Sequence, residues 1–496
     1  MLAVDDQRPG PPIPATMNLA GHVLFGSAQP DAKTALSVLG QTGTTDWSFG
    51  ELRHAVLKTA GGFASLGLAP GARVLMRLGN TPDFPIVFLG AIAAGLCPVP
   101  TSNMLTQVEI TKIARVLSPD MIVAAPGILL PETSGPATSP EVLAAGQPLA
   151  TPKEVDSNAP AYIVFTSGTS GQPMGVVHAH RAILARKMMV DGWYGLTPAD
   201  RMLHAGAFNW TFTLGTGLLD PWTIGATALI LAEGTPPEAM PNLAQANEAT
   251  LLAGAPGVFR RLLKNELPPL PALRHGLVAG EKLAEPLRDA WRDKTGTELY
   301  EAFGQSECST FISASPARTA PEGTLGFAQP GRAVAILDGD KPAKRGDLGE
   351  IAVHASDPGL CLGYLSRSQD IRGTWCLTGD LGLMRDDGAI EYHGRRDDVL
   401  TAGGFRISPI EVETAMERHP SIDAAAAVDH PLDAETTVIA LHYTGSPVDD
   451  TALRQHAARH LARYKEPRLF IHEQNLPRNA NGKLLRIALR TAKPAP

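Results

Sequence analysis

Thr166, Ser167, Gly168, Thr169, Ser170 and Gly171 form an unbroken Thr/Ser/Gly run directly after an apolar strand-like segment, Ala161-Tyr-Ile-Val-Phe165. Glycines let successive backbone N–H groups converge on one anion, and hydroxyls add donors without bulk, so this composition suits a polyphosphate. An ordinary flexible loop has the same composition, so the run alone leaves both readings open. It is not a Walker A loop, because Gly-x-x-x-x-Gly-Lys-Ser/Thr does not occur. His178-Ala-His180 and His456-Ala-Ala-Arg-His460 could pair imidazoles, but the Glu of His-Glu-x-x-His and a third ligand are missing. No Gly-x-Ser-x-Gly elbow is present, which disfavours an α/β-hydrolase.

Holding such a loop takes a sheet. Between 47 and 100 the pattern alternates: 51–66 reads as a helix, 73–78 as a strand and 84–94 as another helix, which predicts a parallel sheet covered by helices. The stretch 126–158, rich in Pro, Ala, Ser and Thr, reads as a surface excursion between two sub-units. From 326 to 392, β-like runs at 334–337, 349–354 and 389–392 are separated by Gly, Asp and Pro, which predicts a small antiparallel or barrel-like unit. The expected fold class is therefore α/β. A large N-terminal domain, 1–394, holds parallel and mixed sheets with helices plus the small β-barrel-like unit, and a small α+β C-terminal domain spans 395–496.

The 496 residues allow three such structural units, at about 150 residues per domain. A net charge of −7, from 43 Lys+Arg against 50 Asp+Glu, argues against a protein that coats nucleic acid or an anionic membrane. Cys97, Cys308, Cys361 and Cys376 include no Cys-x-x-Cys pair, so neither a disulfide framework nor a cysteine zinc site is indicated, and a reducing cytosol fits best. The N-terminus lacks the basic and apolar regions of a signal peptide. Of the apolar stretches, 86–97 is too short to span a bilayer and 214–231 is interrupted by Asp220-Pro221, so no membrane span and a cytoplasmic location are expected.

The segment 162–175 closely resembles the phosphate-loop signature of the adenylate-forming (AMP-binding) superfamily, which includes acyl-CoA and aryl-CoA synthetases, peptide-synthetase adenylation domains and firefly luciferases. Further motifs follow in the family's order: Ala279-Gly-Glu-Lys-Leu283, Phe303-Gly-Gln-Ser-Glu307, Thr378-Gly-Asp380, Gly394-Arg-Arg-Asp-Asp398, Gly403-Gly-Phe-Arg-Ile407 and Pro477-Arg-Asn-Ala-Asn-Gly-Lys483. One would be weak; seven in register over nearly the whole chain are specific. The resemblance implies an ATP-dependent carboxylic acid:CoA ligase of the AMP-forming, acyl-CoA synthetase type. It works in two steps, acyl-adenylate plus pyrophosphate and then thioester plus AMP, with ATP, Mg²⁺ and coenzyme A as cofactors and a small carboxylic acid as substrate.

The resemblance also implies roles. Residues 166–171 wrap the β- and γ-phosphates, Glu307 holds Mg²⁺, and Lys483 bridges the substrate carboxylate and the α-phosphate. Phe303, where the family usually has Tyr, stacks on adenine beside Gly304 and Ser306. Gly280 and Glu281 line the adenine and acyl pockets, Asp380 accepts from the ribose hydroxyls, and Arg395 is its partner. Asp397 matches the hinge of a mobile C-terminal lid, whose rotation brings Gly403 and Gly404 to the thiol. Trp210 matches an aromatic gate of the acyl pocket, which Phe208, Asn209 and Ala279 would share, while Phe212 reads as core. Gly206 and Gly215 favour a compact aryl or short-to-medium acyl acid. The chain departs from the family at Pro173-Met174-Gly175, where a lysine is usual, so a phosphate-facing cation is missing unless Lys187, Arg186 or a tail residue substitutes. The basic tail, with Arg459, Arg463, Lys465 and Arg468, suits the phosphates of CoA. It suits an acidic carrier protein as well, so a free-standing adenylation enzyme loading a carrier protein stays open, as does a non-catalytic AMP-binding relative. The oligomeric state is open, a homodimer included.

Overall fold

A computed structural model describes residues 1–27, 29–132, 135–167, 173–398, 400–402, 405–431, 437–478 and 484–490. Among these, a nine-stranded sheet forms the backbone of the large part, with spatial order 327–328, 309–313, 298–305, 275–279, 251–254, 201–204, 227–231, 34–40 and 43–48. Its centre is parallel: Arg201–His204 pairs with both Thr227–Leu231 and Leu251–Gly254, and His275–Ala279 pairs with Glu298–Gln305. These strands are short apolar runs, buried on both faces as parallel strands covered by helices must be. The C-terminal ends of three of them carry His204, Ala279 and the 303–307 motif, where loops of an open α/β sheet gather ligands.

Two smaller sheets support the Thr/Ser/Gly run. A parallel set joins Cys97–Thr101, Arg73–Arg77, Met121–Ala124 and Ala137–Thr138. Against it lies an antiparallel hairpin, Pro160–Ser167 with Pro173–Ala179, whose outer edge takes Gly363–Tyr364. The helix Phe49–Ser65 opens with a reciprocal cap between Ser48 and Glu51 and packs on Asp83–Ala93, matching the helices and strand read at 51–66, 73–78 and 84–94. The stretch 126–158 is more than a surface excursion. It supplies the strand Ala137–Thr138 and the helix Pro140–Ala144, whose Leu143 is buried against the first helix. Low complexity hid this because a single buried leucine per turn is enough to dock a five-residue helix.

The runs expected at 334–337, 349–354 and 389–392 appear as Ala333–Asp338, Gly349–His354 and Ile390–Arg395, joined through Trp375–Met384 in one antiparallel sheet. Unforeseen is its edge strand: Val4–Asp6 pairs with Ala333–Asp338, from the far end of the chain. A bidentate pair between Arg332 and Asp357, both essentially inaccessible, ties this sheet to the helix Ala182–Met189 through the Ala185 carbonyl. Beyond it, Ile422–Pro431, Thr437–Gly445 and Leu469–His472 form a separate sheet covered by Pro409–Met416 and Asp450–His460, with its own apolar core around Val412, Met416, Ile439 and Leu453. Among the described residues no helix is long and apolar enough to cross a membrane.

Candidate active site

Phe303 and Glu307 lie on a hairpin between Glu298–Gln305 and Ser309–Ser313. The ladder shifts register between Phe303 and Gly304, and a Cβ at position 304 would come within 2.2 Å of the Ser309 carbonyl oxygen, so only glycine lets the two strands approach there. The Phe303 ring packs against Phe311 and Tyr392, at centroid distances of 5.4 and 5.3 Å. The Tyr392 hydroxyl in turn donates to Asp380 Oδ1 (3.2 Å), whose Oδ2 receives Arg395 (3.2 Å). One half-buried tyrosine therefore joins the aromatic ring expected under adenine to the acid–base pair expected on ribose. Asp380 is 4% exposed and is aimed by Thr378, whose hydroxyl accepts the Asp380 N–H and donates to the Ile351 carbonyl.

The same hairpin is fixed from two sides. His178 Nε2 donates to the Ser306 carbonyl (2.7 Å) while its ring stacks on Tyr162 at 4.6 Å, and burial pushes His178 down to about 4, so the imidazole is neutral. This gives His178 a positioning role in place of metal binding. On the other side, Tyr364 donates to Glu307 Oε1 (2.7 Å). The second oxygen of the half-buried Glu307 carboxylate has no hydrogen-bond partner among the described residues.

Gly280 and Glu281 follow the strand His275–Ala279, with Ala279 buried at its end. Gly280 has φ +96°, and a Cβ there would meet the Trp210 indole at 2.8 and 2.9 Å, so the indole lies directly over this residue. Trp210 meets Phe212 edge-on at 5.1 Å, and Phe212 is 8% exposed, a core residue as expected. Asn209 is half-buried beside Trp210. Phe208 is not in the pocket: it is 1% exposed, with its ring 5.4 Å from Phe84 in the large core, because Asn80 bonds both the Phe208 N–H and the Gly206 carbonyl and turns that segment inward. Glu281 forms an ion pair with Arg478 of the C-terminal part instead of standing free in a pocket. The loop is braced by Glu301, whose carboxylate accepts the Leu283 N–H (2.9 Å) with Arg288 3.6 Å away.

Burial raises Glu301 to about 7 against an ordinary 4.5, so the folded state holds its proton more tightly than the unfolded chain does. That stabilisation is complete below pH 4.5 and disappears as pH climbs through 7. Glu301→Gln keeps an acceptor for Leu283 but cannot titrate. Between pH 5 and 8 its urea midpoint should therefore fall less than that of the wild type; parallel midpoints would show that Glu301 does not titrate in this range.

Thr166 and Ser167 end the strand that pairs with Met174 and Pro173, whereas Gly168, Thr169, Ser170, Gly171, Gly403, Gly404 and Lys483 lie outside the described residues. Asp397 sits in the short turn Arg396–Asp398, flanked by Arg396 bonded to Glu350 (2.8 Å) and Asp398 facing Arg486 (3.3 Å). Lys465 is engaged with Glu411 at 2.5 Å. Arg186 cannot stand in for the missing loop cation. It is buried and paired with Asp220 (2.6 Å), and it also donates to Ser309 Oγ, two residues past Glu307. Tyr392, Tyr364, His178, Glu301 and Arg478 are the contributors that sequence reasoning did not assign a role; only the aromatic at 392, two residues before Gly394, was a local signal.

A sequence model of the AMP-binding enzyme family matches residues 26–365, and that of the AMP-binding enzyme C-terminal domain matches 411–483. The chain is 29% identical to the human acyl-coenzyme A synthetase ACSM2B, mitochondrial, over 96% of this chain and 91% of that protein. It is 28% identical to the benzoate–CoA ligase of Thauera aromatica, over 86% of this chain and 87% of that protein. Its fold matches a crystal structure of the anthranilate CoA ligase AuaEII in complex with anthranoyl-AMP, with TM-score 0.87, 22% identity and coverage of 96% and 97%. It equally matches a benzoate CoA ligase from Burkholderia xenovorans LB400, with TM-score 0.85, 24% identity and coverage of 96% and 100%.

Proposed function

Since the chain belongs to the AMP-binding enzyme family, we propose that it joins a carboxylic acid to coenzyme A at the cost of ATP, through an acyl-adenylate. The observation that carries this reading is the continuity from Phe303 through Tyr392 to Asp380 and Arg395, with Glu307 on the Phe303 hairpin. An aromatic face, a buried carboxylate and a carboxylate suited to a hard cation are what a nucleoside polyphosphate requires.

The chemical difficulty of the first step is charge, because a carboxylate must attack the α-phosphorus of a polyanion. Phe303 offers its face to adenine, and Asp380 accepts from the ribose hydroxyls, its geometry held by Tyr392 and Arg395. Glu307 fits Mg²⁺, a hard cation commonly held by one or two carboxylates together with substrate phosphates, and such an ion would neutralise charge on the leaving pyrophosphate. Lys483 neutralises charge between the carboxylate and the α-phosphate. Residues 1–394 hold Phe303, Asp380, Tyr392 and Glu307, and residues 395–496, which carry Arg395 and Lys483, form the lid that turns about Asp397 to admit the thiol, with Gly403, Gly404 and Lys465 on the CoA side. The Lys465–Glu411 pair must then open or shift to free that cation.

The acid is a compact aryl or short-to-medium acyl acid. Trp210 lying across Gly280, with Ala279 beside it, supports a shallow flat slot, and the benzoate and anthranilate ligases among the similar proteins point the same way. Pyrophosphate release with Mg-ATP and a panel of aryl and acyl acids, each with and without CoA, tests the reading. The expected result is acid-dependent release that rises with CoA and yields thioester. Release without thioester would assign the acyl group to a carrier protein, and no release with any acid would overturn the ligase.

A further inference from the structure

The strand Pro173–Ala179, which leads out of the Thr/Ser/Gly run, begins Pro173-Met174-Gly175 and carries no cation there. Its outer edge is occupied by a segment from elsewhere in the chain: Gly363 pairs with Val177, Tyr364 with Val176, and the Leu365 N–H reaches the Gly175 carbonyl at 2.9 Å. The segment then doubles back, with the Tyr364 N–H donating to the Arg367 carbonyl (2.9 Å). This places the Arg367 guanidinium over the Tyr364 ring, 4.7 Å from its centroid. Tyr364 is the residue that donates to Glu307. Arg367, Tyr364 and Glu307 thus form one stack beside the strand on which Met174 sits.

Two other cations around this hairpin are committed elsewhere: Arg181 donates to Asn158, Pro358 and Leu360, and Arg186 is paired with Asp220, while Lys187 is exposed on the helix Ala182–Met189. Arg367 is exposed and forms no ion pair with a carboxylate among the described residues, whereas the nearby Arg372 faces Asp340 and Asp370. A guanidinium held by the Tyr364 ring and hydrogen-bonded to the Tyr364 hydroxyl, with a carboxylate metal ligand on the other side of that hydroxyl, still has further N–H donors and a full charge to offer a phosphate oxygen.

We infer that Arg367 is the cation that grips the β- and γ-phosphates of ATP in this chain, supplying from the neighbouring strand the charge that Met174 leaves absent. The inference rests on the ATP-dependent reading above and assigns a nucleotide contact within it.

Calorimetric titration of the full chain with Mg-ATP, pyrophosphate and AMP tests it, because AMP lacks both distal phosphates. Arg367→Ala should weaken ATP and pyrophosphate by about tenfold, the low end for one charge-assisted hydrogen bond at an open site, and leave AMP unchanged. Arg367→Lys should retain most of the affinity. Adding Met174→Lys to Arg367→Ala should recover most of the loss, since it returns a cation to the same phosphates. Unchanged ATP binding in Arg367→Ala, equal losses for all three ligands, or no recovery with Met174→Lys would each overturn the assignment. A wild type that binds ATP yet releases no pyrophosphate with any acid would overturn the ligase while leaving this comparison intact, and a wild type that binds no ATP would overturn both.

Discussion

Lys483→Ala should lose about 10²–10³-fold in acid-dependent pyrophosphate release, the loss typical when one preorganised charge-stabilising donor is removed, while still passing acyl groups from a supplied acyl-adenylate to CoA. The described neighbours of Lys483 explain why a residue so near the end of the chain can matter to a site in the large domain. Leu484 forms an antiparallel bridge with Arg478, and the Leu485 N–H reaches the Pro477 carbonyl (2.9 Å), so the described residues on either side of 479–483 lie next to each other. Arg478 is ion-paired with Glu281, next to Gly280 and the Trp210 indole. On the other side Arg486 forks onto Glu413 (3.0 and 2.8 Å) and faces Asp398. The residues that flank Lys483 are thus tied on one side to Glu281 and on the other to Glu413 and Asp398. Single-turnover measurement of each half-reaction checks the expectation; equal losses in both would remove the adenylation role of Lys483.

Asp380→Ala should raise the KM for ATP by roughly thirtyfold or more, as expected for losing a charged acceptor of two ribose hydroxyls at about 1.5–3 kcal/mol per hydrogen bond to a charged group. Two further costs follow from its surroundings. Asp380 is buried, so its removal strands the Tyr392 hydroxyl and leaves Arg395 without its carboxylate. Because the Tyr392 ring packs on Phe303, the disturbance extends to the adenine face as well. Asp380→Asn keeps an oxygen for Tyr392 and should therefore preserve thermal stability better than Asp380→Ala while still binding ATP poorly. Comparing KM with the unfolding midpoint in the two variants separates nucleotide contact from packing. An Asp380→Asn enzyme with wild-type KM would mean that the carboxylate charge serves the fold alone.

The parts of the site that the sequence could propose are those that lie in adjacent positions. A Thr/Ser/Gly run, a Gly-Asp pair and an Asn-Gly-Lys segment are compact enough to be matched to family motifs, and their proposed roles rest on that resemblance. What stayed hidden depends on pairing across the chain. His178 looked like half of a metal pair and proves to donate to Ser306, 128 residues away, because the stack on Tyr162 points it there. Tyr364 and Arg367 acquire a role only because their short strand lies on the Val176–Val177 edge. Phe208 was misplaced for the opposite reason. It is next but one to Trp210, yet a side chain from a distant loop, Asn80, decides that it turns into the core. Helices at 51–66 and 84–94 were legible because a cap or a continuous apolar run specifies them without help, whereas the helix Pro140–Ala144 depends on the surface it lands on.

The edge strand Val4–Asp6 has a consequence for the order of events at the ribosome. Its partners are Ala333, Val334 and Ala335, so residues 4–6 must wait for a segment more than three hundred positions later to be made. At translation rates of about 5–20 residues per second, that interval is roughly 20–70 s. Throughout it residues 4–6 have no backbone partner, while the strands of the nine-stranded sheet are made in between. Seating of this short strand therefore follows the synthesis of most of the large domain.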